Sequence, residues 1–203
     1  MKRLFISFAL FACMHVCLNA QVVYAVYSQG ASTYFAAIDI STCTSCILAE
    51  WSIVGGGATD LSILPDGRVA IVASCSPSGC IRLYTPPDPT QTLVPMPHFP
   101  FGSIVINDLM YIHTISGLYV FDPTTDQINF VGPWPAAMTP TGFEFYELGG
   151  QVYAIRMGGG GGREIWQVDL QNPQNSVFVQ NTPTPPNLIA SAASVNGMVY
   201  LGA

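Results

Sequence analysis

An all-β fold built from a recurring four-stranded unit is what this sequence predicts, and three observations carry the prediction. Short runs alternate apolar and polar residues, turn formers separate the runs, and the pattern returns at a near-constant interval. Five runs superpose on one another: QVVYAVYS (21–28), DGRVAIVAS (66–74), NDLMYIHTI (107–115), GGQVYAIRM (149–157) and NGMVYLGA (196–203). Their aligned residues Tyr24, Ala70, Tyr111, Tyr153 and Tyr200 stand 46, 41, 42 and 47 residues apart, a period of about 44.

The neighbours of these runs repeat as well. A strand-like run precedes each later copy: TDLSILP (59–65), GSIVI (102–106), TGFEFYEL (141–148) and LIASAASV (188–195). Another follows each of the first four: TYFAAIDIS (33–41), CIRLYTP (80–86), GLYVFDP (117–123) and REIWQVDL (163–170). A turn and a further run, CILAEWSIV, QTLVPMP, QINFVGPWP or SVFVQN, complete the unit. Asp-Gly, Asn-Asp, Gly-Gly and Asn-Gly pairs mark tight hairpins between the first two strands. Residues 117–132 are then the third and fourth strands of one unit, joined by Asp-Pro-Thr-Thr-Asp.

A single four-stranded sheet leaves both faces uncovered, and radial stacking covers them. The pattern therefore predicts a β-propeller of antiparallel four-stranded blades, about four blades plus a partial fifth. The blade units fall at about 21–57, 58–100, 101–139 and 140–187, with 188–203 the partial one. Near-continuous apolar inner strands such as SIVI are expected to be covered on both sides. Because the last run stops in a second strand, the ring is expected to be incomplete and the chain a fragment of a larger propeller. A sandwich or solenoid is the all-β alternative, but a sandwich requires no such spacing.

The segments GGQVYAI, GLYVFDPTTDQINFVG and LSILPDGRVAIVA resemble secreted kelch-like propeller repeats of Bacteroidota surface proteins. The resemblance runs over nearly all of residues 21–203, and Gly149-Gly150 supplies the doublet typical of kelch blades. It implies binding, adhesion or scaffolding.

Residues 1–20 open with Lys2 and Arg3, continue through an apolar run and reach Ala20 before Gln21, which reads as a secretory signal. Lipidation at Cys13 is the minor alternative. No segment reads as a membrane span, which needs about 20 apolar residues. Removal of the signal leaves four arginines against twelve acidic residues, a formal charge of about −8. Four scattered arginines cannot supply the cationic footprint that nucleic acid requires.

Cys43, Cys46, Cys75 and Cys80 follow the signal, and an even count in an exported chain favours disulfides. Local pairing is expected: Cys75 with Cys80 across the SPSG loop, and Cys43 with Cys46 within CTSC. A four-thiolate zinc site or a redox pair is the rival.

Residues able to do chemistry are few. His98 and His113 lack any metal-ligand spacing and read as structural. Asp122 and Asp126 hint at calcium, but their loop lacks the glycine and distal glutamate of an EF-hand and reads as a turn. Glu144 and Glu147 lie three apart on a strand and so point to opposite faces, unlike a glycosidase pair flanking one bond. Asp60 and Glu144 are the polar candidates for the channel mouth. The glycine run 158–162 lacks the helix of a phosphate loop and reads as a flexible connection. Trp51, Trp134 and Trp166 read as core, with a sugar-stacking platform as the alternative. No Ser or Cys nucleophile has a His and acid partner, so no catalytic, metal or cofactor residue is assigned.

These readings point to an exported, noncatalytic module that recognises protein or carbohydrate at the cell surface. A hydrolase or lyase at the channel mouth is the alternative, and a structural spacer in a larger adhesin the third reading.

Overall fold

The computed structural model describes residues 22–52, 57–138, 143–156, 163–182, 191–195 and 198–202. The expected signal at 1–20 and the glycine run at 158–162 lie outside the described residues. Among the described residues five antiparallel sheets follow one another along the chain. The first holds β1 (Val22–Gln29), β2 (Ser32–Asp39) and β3 (Thr44–Ser52). The second holds β4 (Ala58–Ile63), β5 (Val69–Cys75), β6 (Ser78–Thr85) and β7 (Asp88–Met96). β8 (Pro100–Ile106), β9 (Leu109–Thr114), β10 (Gly117–Asp122) and β11 (Gln127–Gly132) make the third. The fourth comprises β12 (Phe143–Leu148), β13 (Gln151–Arg156), β14 (Arg163–Val168) and β15 (Val177–Thr182), and the fifth β16 (Ser191–Val195) and β17 (Met198–Gly202). Within each sheet every strand pairs with its neighbour in sequence, so each sheet is a meander.

Turn chemistry sets the registers. Asn107 and Asp108 (φ 49° and 65°) and Gly149 and Gly150 (φ 61° and 78°) form left-handed two-residue turns, whose twist matches that of the flanking strands. They place Ile106 opposite Leu109 and Leu148 opposite Gln151. In the β10–β11 turn, Asp122 Oδ1 accepts hydrogen bonds from Thr124 N (2.8 Å) and Thr124 Oγ1 (2.7 Å). Asp126 closes that turn at φ 54° and pairs with Arg68 Nη1 at 2.8 Å, while Arg68 Nε holds Asp66 at 2.7 Å. The two aspartates of this loop are thus committed to a turn and to a link between the second and third sheets.

The core lies between sheets. Alternation along one strand feeds two different clusters, because successive side chains leave opposite faces. In β5, Val69 and Ile71 pack with Phe35 and Trp51 of the first sheet, whereas Ala70 and Val72 pack with Met110, Ile112 and Phe121 of the third. In β13, Val152 and Ala154 meet Leu118 of the third sheet and Trp134 just beyond it, and Ile155 joins Tyr146 on the opposite face. Each fully buried Ile or Phe here stabilises the fold by about 1.5–3 kcal/mol.

Burial peaks in the second and third strands, with Val69 to Ala73 wholly buried, and falls off in the outer strands. The inner strands β4 and β8 are mainly half-buried, contrary to the expectation for SIVI. The physical reason is that their axial side borders a cavity instead of another sheet.

Cys75 and Cys80 form a disulfide with Cα atoms 5.6 Å apart. The hairpin is tighter than a four-residue loop: Cys75 stands opposite Ser78 and Cys80 opposite Ala73, so the bridge runs diagonally. The expected bridge between Cys43 and Cys46 does not form. Cys43 is exposed and free at a turn position with φ 55°, whereas Cys46 is buried in β3 opposite Ala37 and is disulfide-bonded elsewhere. The left-handed turn directs one thiol outward while the strand directs the other inward.

Candidate functional site at the inner strands

The innermost strands present one repeated position toward the centre. Asp60 of β4 stands opposite Val72, Gly102 of β8 opposite His113, and Glu144 of β12 opposite Ile155. Each partner lies two residues beyond the aligned Ala70, Tyr111 or Tyr153, so these three positions are equivalent and recur every 42 residues. Glycine adds no side chain at the middle one. The carboxyls of Asp60 and Glu144 consequently face a shared cavity of about 300 Å³, also lined by Ser62, Ser103, Ile104 and Tyr146.

Asp60 is held on several sides. Its Oδ2 accepts hydrogen bonds from Ser103 N (2.6 Å) and Ser103 Oγ (2.9 Å), and its Oδ1 accepts one from Leu61 N (2.7 Å). β8 pairs only with β9, so its other edge leaves backbone donors open, and Asp60 satisfies one of them. The hydroxyls of Ser62 and Ser103 lie 3.0 Å apart. Burial pushes the Asp60 pKa up, and the hydrogen bonds from Ser103 and Leu61 oppose that rise.

Glu144 is in a different state. It is only 6% exposed, and no described group donates a hydrogen bond to its carboxyl. Burial, reinforced by the negative charge of Asp60, pushes its pKa up to about 8. Glu147, three residues on, is exposed.

The other candidates are structural. His113 is fully buried among the rings of Trp134 (5.1 Å), Phe101 (5.5 Å) and Phe145 (6.2 Å), and burial lowers its pKa to about 3, leaving it neutral. His98 packs beside Tyr119. All three tryptophans are core residues: Arg82 lies over Trp51 at 4.7 Å, Trp134 Nε1 donates to Thr114 O (3.1 Å), and Trp166 Nε1 to Glu164 Oε2 (3.0 Å). Arg68 and Arg82 are both engaged away from the cavity, Arg82 by Gln91 Oε1 at 2.7 Å. Among the described residues no group of three His, Cys, Asp or Glu side chains is placed to hold a metal ion.

The structure thus brings Asp60 and Glu144 together. Sequence reasoning missed Ser62 and Ser103, which have no signature of their own. The interval of 42 residues from Asp60 to Gly102 to Glu144 was the signal that could have placed the carboxylates on one ring. A second, open depression of about 440 Å³ between the third and fourth sheets is lined by amides, among them Asn107, Gln151, Gln167 and Asn175.

Many solved structures share the architecture, among them the following three. Virginiamycin B lyase from Staphylococcus aureus matches with TM-score 0.58 at 11% identity, over 91% of this chain and 64% of its own. TolB from Acinetobacter baumannii matches with TM-score 0.55 at 14% identity, over 79% of this chain and 41% of its own. The extracellular domain of the BT4673 one-component system from B. thetaiotaomicron matches with TM-score 0.54 at 13% identity, over 87% and 25% respectively. This chain therefore spans between 25% and 64% of the length of these proteins. No protein-family model matches the chain, and no curated protein does. Likeness at such low identity speaks to architecture alone, and on it, together with the meander sheets and the cores between them, the chain is a β-propeller of antiparallel blades.

Proposed function

We propose that this chain is an exported, noncatalytic recognition module that binds protein or carbohydrate at the cell surface, in the manner of secreted kelch-like propellers. The observation that carries the reading is the cavity between the inner strands, where Glu144 is buried yet has no hydrogen-bond donor among the described residues. A carboxyl that lines a cavity without a protein donor is open to a ligand that supplies one as a charge-assisted hydrogen bond. The disulfide between Cys75 and Cys80 fits an oxidising compartment, and a likeness to an extracellular domain fits export. Among the described residues no helix is long and apolar enough to cross a membrane.

A lyase or hydrolase at the same cavity is the second reading, favoured by Glu144 retaining its proton near neutral pH as a general acid would. Against it, the hydrogen bonds from Leu61 and Ser103 stabilise the ionised form of Asp60 and so weaken it as a base. The test is binding of the labelled chain to a glycan array and to intact cells. Saturable binding that Glu144→Gln weakens at least about tenfold supports recognition. Absence of saturable binding on both surfaces overturns it.

A further inference from the structure

We propose that the cavity between the inner strands takes a primary ammonium group, seated between the carboxyls of Glu144 and Asp60 beside the Ser62 hydroxyl. The proposal rests on the reading of this cavity as a recognition site and names the chemistry that the site accepts. Three features of the cavity carry it.

The first is acceptor geometry. An alkylammonium offers three N–H donors and no acceptor. Both oxygens of Glu144 lack a described donor, and Asp60 Oδ1 accepts a single hydrogen bond, from Leu61 N, leaving one lone pair. The cavity thus offers acceptors to three donors from two sides.

The second is charge. The half-buried Asp60 and the buried Glu144 share the cavity with the exposed Glu147 at its edge, and the described cationic side chains Arg68 and Arg82 are engaged elsewhere. An anionic ligand would be repelled. A divalent metal is a poor fit, because calcium takes about 6–8 oxygen ligands and no three acidic side chains among the described residues are placed to hold one. The third is size. About 300 Å³ is the low end for a ligand pocket, enough for the tip of a lysine side chain or a small free amine.

Binding is coupled to a proton. Free Glu144 holds its proton up to a pH of about 8, so at neutral pH the ammonium stays charged while Glu144 releases its proton to solvent. The ionisable groups around Glu144 are Asp60 across the cavity from β4, Glu147 and Tyr146 on its own strand, and Tyr153, stacked on Tyr146 from β13. β8 contributes serine without an ionisable group at this height, and the sequence of β16, Ser191–Val195, contains none. Affinity for an amine that stays protonated should therefore rise about 50-fold between pH 6 and pH 8.

Calorimetric titration of the whole chain tests this with butylamine, Nα-acetyl-lysine methylamide, the N-acetylated form of each, and calcium chloride. Runs at pH 6, 7 and 8 use two buffers of different ionisation enthalpy. The expected result is binding of both amines, weak or absent binding of their acetylated forms, net proton release at pH 7, and loss of binding in Glu144→Gln. A tighter lysine derivative points to a lysine presented by a polypeptide, and equal affinities to a small free amine. The proposal is overturned if the acetylated forms bind as well, if only calcium binds, or if affinity is independent of pH. Gln151→Ala, in the open depression, should leave amine binding unchanged. Circular dichroism confirms folding of each variant, and should Glu144→Gln fail to fold, proton release by the unmodified chain decides. A chain that binds on the array but ignores amines retains surface recognition and loses this proposal. One that binds amines but nothing on the array or on cells does the reverse.

Discussion

The interface between the second and third blades and the cavity between the inner strands are built by the same alternation and reach opposite states. At the interface, Val72, Ile81, Met110, Ile112 and Phe121 exclude water with apolar side chains alone. Toward the centre, Asp60, Ser62, Ser103 and Glu144 are half-buried or buried as well, but around a polar cavity. Apolar burial returns free energy wherever it occurs, whereas a buried carboxyl costs free energy unless it is neutralised or partnered. The comparison teaches that stability resides between the blades, and that the centre holds partly desolvated polar groups instead.

The largest effect should come from the interface. Phe121→Ala removes a fully buried ring and should destabilise the chain by about 3–5 kcal/mol, read from urea unfolding. A loss below about 1 kcal/mol would mean that the blades do not depend on this contact and would break the contrast.

The centre should show itself in pH dependence. The folded pKa of Glu144 is about 8 against an ordinary 4.5, so the folded state holds the extra proton and stability falls as pH rises through that window. His113 acts in the opposite sense: its folded pKa is about 3 against an ordinary 6.5, so its contribution grows as pH rises from 3 to 6.5. The two offset each other between about pH 4.5 and 6.5. From pH 6.5 to 8 Glu144 prevails, and stability should drop by about 2 kcal/mol. Glu144→Gln should abolish that drop and leave stability rising up to pH 6.5. Thermal melts across this range check both limbs.

Smaller effects sharpen the picture at the rim. Replacing both Cys75 and Cys80 by serine should cost about 2 kcal/mol, the entropy of a short loop released in the unfolded chain. Cys43→Ser should change stability by less than about 0.5 kcal/mol, since that thiol is exposed and free. A larger loss would reinstate the bridge within CTSC.

Much of the fold could be read directly. The runs aligned on Tyr24, Ala70, Tyr111, Tyr153 and Tyr200 are β1, β5, β9, β13 and β17, because alternation and turn residues act within a few residues of one another. Asn107-Asp108 and Gly149-Gly150 are legible for the same local reason. The site was only half legible. Asp60 and Glu144 stood out as polar residues in apolar strands, but Ser62 and Ser103 did not, since a serine says nothing about what it faces. The pairing within CTSC failed because closeness in sequence does not set the direction in which a thiol points.

What the amino-acid sequence determined alone is the period, the strands and the face each side chain takes, all consequences of alternation and backbone sterics over short distances. Only the tertiary structure decided that carboxyls 84 residues apart share one cavity, that one is partnered and the other is not, and that Arg68 joins two blades. Desolvation and proximity belong to the space around a group, and that space exists only once the blades have packed.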